Sequence, residues 1–338
     1  AFKGSRTVMP SLSMVRFQTN LVSDSDQRVV LKQFNVEDPY KTRGSDNATK
    51  GPLSTHELKH FDERGFLILR QVFTPAEIDA LRDEVFDVKA RIESEGAADK
   101  VTEDMNVVTE PNSKKLRSIF EVHKNLKLAK RLTQDSRLLD RAQQILADDQ
   151  GLYVHQSRVN FQQGFEGTGF SWHSDFETWH AEDGMPEPRC LSCVVLLTPN
   201  YAQNGSLMVV PGSHKTYMRC AGETPERFWE TSLKDKLTIG TPAHELLTEV
   251  INDSGEMAYC EGEPGDVVMF DCNLMHASHN NVSPWPRTNM FFVYNGVSNK
   301  VQDPPYAKTP RPEHIATRDP EFTKGLERKE GAILEYAS

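Results

Sequence analysis

The chain has 338 residues, of which 37% are hydrophobic, and its formal net charge at pH 7 is −10. This length can bury one sizeable core with additional helices around it. We expect a soluble protein without a membrane partner, because no apolar run approaches the length of a membrane span. We also expect no nucleic-acid partner, because the basic residues form no concentrated stripe.

The first part of the chain, 1–52, is predicted to be an extension that is partly disordered or the remnant of a targeting signal. Its first residues include Lys3, Arg6 and Arg16, and no acidic residue precedes Asp24. This composition is typical of organellar transit peptides. A disordered tail explains the same composition. We therefore expect a cytoplasmic protein, with an organellar matrix as the alternative.

Helices are predicted in the part that follows. Residues 53–66 indicate a short helix, and an apolar strand, 66–69, comes directly after it. The sequence Thr74-Pro75-Ala76-Glu77 has the pattern of a capping box at the start of a helix. An apolar stripe at helical spacing behind it predicts packing against a sheet. A second helical region is predicted over residues 125–148.

From residue 153 onward the pattern becomes mainly that of short strands separated by turns. The predicted strands are 153–160, 191–198, 206–210, 266–271 and 289–295. Helices followed by many short strands favour a mainly β fold with flanking helices and a jelly-roll, or double-stranded β-helix, core. We expect a single domain over 53–318 and a C-terminal tail over 319–338.

The five cysteines are scattered, although Cys190 and Cys193 form a C-x-x-C pair. Such a pair can indicate zinc binding or redox chemistry. A second C-x-x-C is missing from the sequence, and this one lies in an apolar segment, so we expect buried, reduced thiols.

The most informative residues are His173 and Asp175, in an extended segment, and His276, after a later apolar run. Alternate side chains of an extended segment point to the same side, so His173 and Asp175 can reach one metal. Two imidazoles and one carboxylate form the facial triad of non-haem Fe(II) oxygenases, which leaves coordination positions open for a co-substrate and O2.

Arg287 follows His276 and opens the next apolar strand. A guanidinium there can bind a carboxylate through two hydrogen bonds, as the far end of an iron-bound 2-oxoglutarate requires. Other histidines compete for the third ligand position, notably His180, and His279, which lies three residues beyond His276. A His-x-Asp pair is by itself a weak signal, because most such pairs are coincidental.

A longer pattern carries more information than the triad. Residues 170–189 read FSWHSDFETWHAEDGMPEPR, which resembles the signature of the ectoine hydroxylases, a branch of the phytanoyl-CoA dioxygenase-like superfamily. The resemblance covers roughly residues 52–318. It includes Gln156-Ser157-Arg158-Val159-Asn160, the segment 204–214, and Phe270-Asp271-Cys272-Asn273-Leu274-Met275-His276.

This resemblance implies a role for particular residues. It supports His173, Asp175 and His276 as the iron ligands. It places 2-oxoglutarate against Arg287, Ser278, Phe170 and Asn160. It assigns a small zwitterionic substrate, ectoine, to Gln156, Thr178, Trp179, Tyr294 and Arg311. It also implies a homodimer.

Three functions remain open at this point. The resemblance implies hydroxylation of ectoine to 5-hydroxyectoine with release of succinate and CO2. The same chemistry on another small zwitterion, such as proline, is the second. A non-catalytic jelly-roll protein that binds a metal is the third, although the intact triad and Arg287 argue against it.

Overall fold

The computed structural model describes residues 50–94, 106–110, 113–218, 241–304 and 309–336. Nearly all of the predicted N-terminal extension therefore lies outside the described residues. Among the helices of the described part, none combines the length and the apolar character that a membrane crossing requires.

The helices gather mainly before the strands, as predicted. In chain order they are α1 (Thr55–Arg64), α2 (Pro75–Ser94), α3 (Val122–Asn125), α4 (Lys127–Thr133), α5 (Ser136–Leu146), α6 (Asp175–Asp183) and α7 (His244–Ser254). The capping box that opens α2 is formed: the Glu77 amide donates to Thr74 Oγ1, and the Thr74 amide donates to the Glu77 carboxylate at 2.9 Å.

The strands form two antiparallel sheets. They are β1 (Phe66–Leu69), β2 (Val107–Thr109), β3 (Leu116–Phe120), β4 (Leu152–Gln162), β5 (Phe170–His173), β6 (Cys190–Leu196), β7 (Met208–Val209), β8 (Ala258–Tyr259), β9 (Val267–Asp271), β10 (His276–Ser278) and β11 (Arg287–Gly296). The larger sheet has the order β1-β9-β6-β11-β4-β3-β2, and the smaller has the order β5-β10-β7-β8. This arrangement confirms the predicted mainly β jelly roll with flanking helices.

The two faces of the larger sheet bury different sets of side chains. One apolar cluster joins that sheet to α2, α4 and α5 and includes Met290 and Phe292. Another lies between the two sheets and includes Phe270 and Phe291 of the larger sheet and Val209 of the smaller. Because side chains alternate along β11, its odd-numbered residues from Arg287 to Val293 face the space between the sheets.

Two parts of the fold differ from the sequence prediction. The helical region 125–148 is split: Leu126 has an extended backbone, and Asp135 starts α5 by accepting a hydrogen bond from the Arg137 amide. The predicted tail is packed onto the helices in its described part, 319–336. Ile333 is fully buried there, and Arg131 donates to the Glu330 carbonyl at 2.8 Å.

The thiol prediction is confirmed for the four described cysteines. Cys190, Cys193, Cys260 and Cys272 are free and buried. Burial raises the pKa of the Cys260 thiol to about 12, so this thiol stays protonated at neutral pH.

Candidate active site

The smaller sheet brings the three predicted metal ligands together. β5 pairs with β10 so that His173 and His276 are directly opposite each other, and their ring centroids are 4.2 Å apart. The Oδ1 atom of Asp175 lies 3.8 Å from Nε2 of His173 and 3.9 Å from Nε2 of His276. Among the described residues, these three form the group whose ligand atoms could share one metal ion.

Asp175 reaches this position differently from the sequence expectation. The strand β5 ends at His173, and Asp175 is the first residue of α6 rather than a strand residue. Ser174 between them has an extended backbone, with φ −108° and ψ 142°, and its hydroxyl caps the helix by accepting from the Glu177 amide. One extended residue is therefore enough to bring both ligands to the same side.

Main-chain carbonyl groups fix the orientation of both imidazoles. Nδ1 of His173 lies 2.7 Å from the Ser171 carbonyl, and Nδ1 of His276 lies 2.9 Å from the Leu274 carbonyl. A carbonyl can only accept, so each Nδ1 carries the proton, and each Nε2 presents a lone pair to the shared space.

These three residues fit a divalent metal. Burial, and then the neighbouring His276, lower the pKa of His173 to about 4, which keeps its ring neutral as a metal ligand requires. The Oδ2 atom of Asp175 is buried without a hydrogen-bond partner in the described part of the chain. Buried carboxylate oxygens are normally bonded, so a cation would satisfy this one.

The predicted 2-oxoglutarate residues lie on two pairs of adjacent strands, one pair in each sheet. Ser278 pairs with Phe170, whose amide donates to the Ser278 hydroxyl at 3.3 Å. Asn160 pairs with Asn289 on β11, two residues from Arg287, and accepts a hydrogen bond from the Ser118 hydroxyl at 2.8 Å.

Arg287 is buried and is bound to a neutral group. Its guanidinium donates twice to Gln162 Oε1, once at 3.0 Å, and it forms no ion pair with a carboxylate of the described residues. Burial, and then the charge of Arg117, lower the pKa of Arg287 to about 10, so it stays charged at neutral pH. A buried cation without a neutralising anion is costly, and an anionic ligand would offset this cost.

Two further cations at this site were not singled out from the sequence. Arg158 lies 4.6 Å from the Phe291 ring centroid and donates to the Gln156 amide oxygen. Arg117 lies 4.3 Å from the Phe170 ring centroid, and its charge is balanced by Glu110 at 3.3 Å. The alternation of polar residues along β4, from Gln156 to Gln162, is the signal that could have indicated Arg158.

Four of the five predicted substrate residues lie on α6 or are joined to it through the segment around Arg311. Thr178 and Trp179 are three and four residues after Asp175 on α6 and so share its side of the helix. The Gln156 amide donates to the Ile315 carbonyl at 2.7 Å, which fastens β4 to the segment that carries Arg311.

Arg311 is a buried residue rather than an exposed loop residue. Its Nε donates to the Asp183 carboxylate at 3.0 Å, and Nη2 donates to the same group. Arg318 also donates to Asp183, at 3.5 Å. Two guanidiniums therefore contact the same buried carboxylate.

Tyr294 is the exception, and its predicted role is corrected here. Its side chain packs in the apolar cluster on the helical face of the larger sheet, and its hydroxyl donates to the Thr133 carbonyl of α4 at 2.9 Å. It therefore points away from the substrate region. An apolar strand buried on both faces gives no alternation of polar residues, so the sequence could not indicate which side chains face the site.

The competing histidines have partners elsewhere. Nδ1 of His180 bonds to the Met185 carbonyl at 2.7 Å, and Nδ1 of His279 bonds to the Asn280 carbonyl at 2.7 Å. Neither belongs to the group of ligand atoms formed by His173, Asp175 and His276.

Comparisons with known proteins agree with this site. Residues 61–289 match the phytanoyl-CoA dioxygenase family. The chain is 44% identical to the ectoine dioxygenase of Sphingopyxis alaskensis over 84% of this chain and 89% of that protein. It is 47% identical to the ectoine dioxygenase of Bordetella bronchiseptica over 79% of this chain and 83% of that protein.

Solved structures give the same result. The crystal structure of EctD from S. alaskensis with 2-oxoglutarate and 5-hydroxyectoine has a TM-score of 0.72 and 40% identity, and the match covers 84% of this chain and 90% of that chain. The structure of the same protein with bound Fe has a TM-score of 0.71. The carbocyclase SnoK, at 17% identity and a TM-score of 0.55, shares the fold. By sequence match, by overall fold and by its relatives, the chain belongs to the phytanoyl-CoA dioxygenase family and, within it, to the ectoine dioxygenases.

Proposed function

We propose that this protein hydroxylates ectoine to 5-hydroxyectoine, using Fe(II), 2-oxoglutarate and O2 and releasing succinate and CO2. The observation that carries the proposal is the buried Arg287, whose charge has no carboxylate partner among the described residues, together with an intact facial triad on the facing sheet. A structural metal site would not need this second, anion-binding element.

Iron held by His173, Asp175 and His276 would supply the oxidative step, in which one oxygen atom of O2 goes to a substrate C–H bond and the other goes to succinate, while 2-oxoglutarate loses CO2 and supplies the two electrons required. The protein supplies binding and orientation. The carbonyls of Ser171 and Leu274 hold the two imidazoles in the tautomer that leaves Nε2 available.

The co-substrate binds along β11 and the β5–β10 pair in this proposal. Arg287 receives the distal carboxylate of 2-oxoglutarate, and the Ser278 hydroxyl lies nearby. Phe170 and Asn160 line the same space. A charge-assisted, two-bond contact of this kind fixes direction as well as affinity.

The substrate binds between α6 and the segment that carries Arg311. Arg311, which Asp183 holds in place, is the guanidinium that binds the ectoine carboxylate in this proposal. Trp179 offers an aromatic face to the delocalised amidinium cation, and Gln156 and Thr178 offer polar contacts. Binding both ends of a small ring presents one C–H bond to the metal, which sets the rate and the position of hydroxylation.

The test is anaerobic reconstitution with Fe(II) and 2-oxoglutarate, followed by addition of O2 and ectoine. We expect a product heavier by one oxygen atom and an equal amount of succinate. Parallel reactions with L-proline test the second function. Succinate formation with proline but not with ectoine would keep the reaction class and overturn the substrate, and metal binding without any turnover would support a non-catalytic protein.

Two further properties belong to this proposal. A homodimer is expected from the family resemblance, and light scattering of the purified protein tests it. A cytoplasmic location is expected from the bacterial ectoine dioxygenases that the chain resembles, and fractionation of the source cells tests that.

A further inference from the structure

One buried histidine in the substrate region has no assigned role. His155 lies on β4, directly before Gln156, and has no solvent-exposed surface. Both of its ring nitrogens are buried without a hydrogen-bond partner among the residues that the structure describes. Buried polar groups are almost always bonded, so a histidine with two unsatisfied nitrogens needs an explanation.

The local strand geometry turns this side chain toward the substrate. Across β11, Val293 pairs with Gln156 and Tyr294 pairs with Val154, so His155 is the extra residue of a β-bulge. A bulge places two residues of one strand opposite one residue of its neighbour and redirects a side chain. As a result, His155 and Gln156 both lie opposite Val293 of β11, and their side chains are on the face of the sheet that is opposite to the Tyr294 side chain.

The neighbours of the ring include Tyr153 and groups already assigned to the substrate. The His155 ring stands edge to face with Trp179, with centroids 5.0 Å apart. Burial lowers the pKa of His155 to about 4, and the charges of Asp183 and Arg311 act on it in opposite directions. At neutral pH the ring is therefore neutral, with one N–H donor and one acceptor nitrogen.

We propose that His155 is a substrate-contacting residue, whose imidazole hydrogen-bonds the bound zwitterion between Trp179 and the Asp183–Arg311 ion pair. A neutral imidazole matches such a ligand, because its acceptor nitrogen can receive a substrate N–H while its own N–H faces the carboxylate end. The charged partner for the carboxylate remains Arg311. This inference rests on the proposed function, since it names a contact within the same substrate site.

The role predicts selectivity by hydrogen bonding rather than by charge. A site built to bond a substrate N–H discriminates strongly against analogues that lack it, because the protein group is then left unsatisfied. His155 therefore contributes to substrate recognition without contacting the metal or 2-oxoglutarate.

The test compares His155→Phe and His155→Gln with the wild type. Phe keeps a ring of similar size and removes both nitrogens, whereas Gln keeps one donor and one acceptor. We expect His155→Phe to raise the KM for ectoine roughly 10- to 100-fold, to leave the KM for 2-oxoglutarate within about twofold, and to form more succinate than hydroxylated product. The KM for ectoine of His155→Gln should lie between those of the wild type and His155→Phe. This variant keeps the test valid if the Phe variant folds poorly.

His123 is a matched control, because it lies on α3 and packs against the other face of β4. It is also buried, and its pKa is lowered to about 3, mainly by burial. Its Nδ1 bonds to the Ser157 hydroxyl, away from the substrate region. His123→Phe should lower the melting temperature without changing the ratio of the two KM values.

The outcomes separate this inference from the proposed function. Ectoine turnover by the wild type with an unchanged ectoine KM and unchanged coupling in both His155 variants would overturn the role of His155 alone. A wild-type protein that does not turn over ectoine would overturn the proposed function and, with it, the ligand named here.

Discussion

Both imidazoles proposed to bind the metal are oriented by main-chain carbonyls, which no side-chain substitution can remove. Changing the ligand itself is therefore the direct test of the triad. His276→Ala should abolish both Fe(II) binding and hydroxylation while the protein stays folded, because a triad missing one ligand loses affinity and geometry together. Metal analysis, circular dichroism and a succinate assay give the three readouts.

His279→Ala is the control for that variant. His279 lies three residues away and is bonded to the Asn280 carbonyl, so its loss should leave iron binding intact. Normal activity in His276→Ala, or loss of iron in His279→Ala, would show that the assignment of His276 as the third ligand is wrong.

Arg287 permits a second prediction at the scale of single residues. Arg287→Ala should cost about 2–5 kcal/mol of 2-oxoglutarate binding, since it removes a two-bond charged contact and leaves the ligand carboxylate unpaired. This corresponds to a rise in the KM for 2-oxoglutarate of roughly 30-fold to several thousand-fold. Initial rates measured at varied 2-oxoglutarate and saturating ectoine provide the test.

Arg287→Lys is the matched variant, because it keeps the charge and loses the planar fork. We expect an intermediate KM for 2-oxoglutarate and a nearly unchanged KM for ectoine. Equal effects on both KM values would indicate a general disturbance of the cleft around Gln162 rather than loss of a specific contact.

At the scale of elements, β11 has one face toward the site and one toward α4. Tyr294 belongs to the second face, so Tyr294→Phe should act on stability and not on catalysis. It leaves the buried Thr133 carbonyl without its donor, which should lower the free energy of unfolding by about 1–3 kcal/mol.

Urea unfolding and steady-state kinetics distinguish the two roles. Trp179→Phe is the contrasting variant, because it changes an aromatic ring on the substrate side and should raise the KM for ectoine. A raised KM for ectoine in Tyr294→Phe, with unchanged stability, would restore Tyr294 to the substrate pocket.

The sequence predicted the parts of the site that depend on short spacing. His173 and Asp175 are separated by one residue, and Arg287 opens a strand, so local geometry was sufficient. The ion pair of Arg311 with Asp183 joins residues far apart in the chain, and periodicity carries no information about such pairs. His155 was missed for another reason: a bulge shifts the alternation of side chains, and it is visible only once the register with β11 is known.

At the scale of the whole molecule, Glu77 links α2, α5 and the C-terminal segment. Its carboxylate accepts from Arg137 at 2.8 and 3.0 Å and from the Ile333 amide at 3.4 Å. Burial alone would raise the pKa of Glu77, but the hydrogen bonds from Arg137 and Thr74 outweigh it and lower the pKa from 4.5 to about 2.

Because this pKa is lower in the folded state, Glu77 stabilises the fold fully above about pH 4.5 and progressively less as the pH falls toward 2. Glu77→Gln should therefore lower the free energy of unfolding at pH 7 by on the order of 2–3 kcal/mol. The difference from the wild type should shrink below pH 4.5. Urea unfolding at a series of pH values measures it.

Glu63→Gln is the control, since Glu63 forms only an exposed ion pair with Lys59 at 3.7 Å. Such pairs contribute little to stability, so this variant should follow the wild type at every pH. A constant difference between Glu77→Gln and the wild type across the whole pH range would mean that ionisation of Glu77 does not stabilise the fold.

The contact between the C-terminal segment and α2, in which the Ile333 amide donates to Glu77, also has a consequence for biosynthesis. Glu77 and Ile333 are 256 residues apart, and at about 5–20 residues per second the ribosome needs roughly 13–50 s between them. During that time the apolar surface of α2 and α4 that Ile333 covers stays open to chaperones and proteases. Slower translation of the region between Glu77 and Ile333 should therefore reduce the yield of enzyme without changing the stability of the molecules that complete folding.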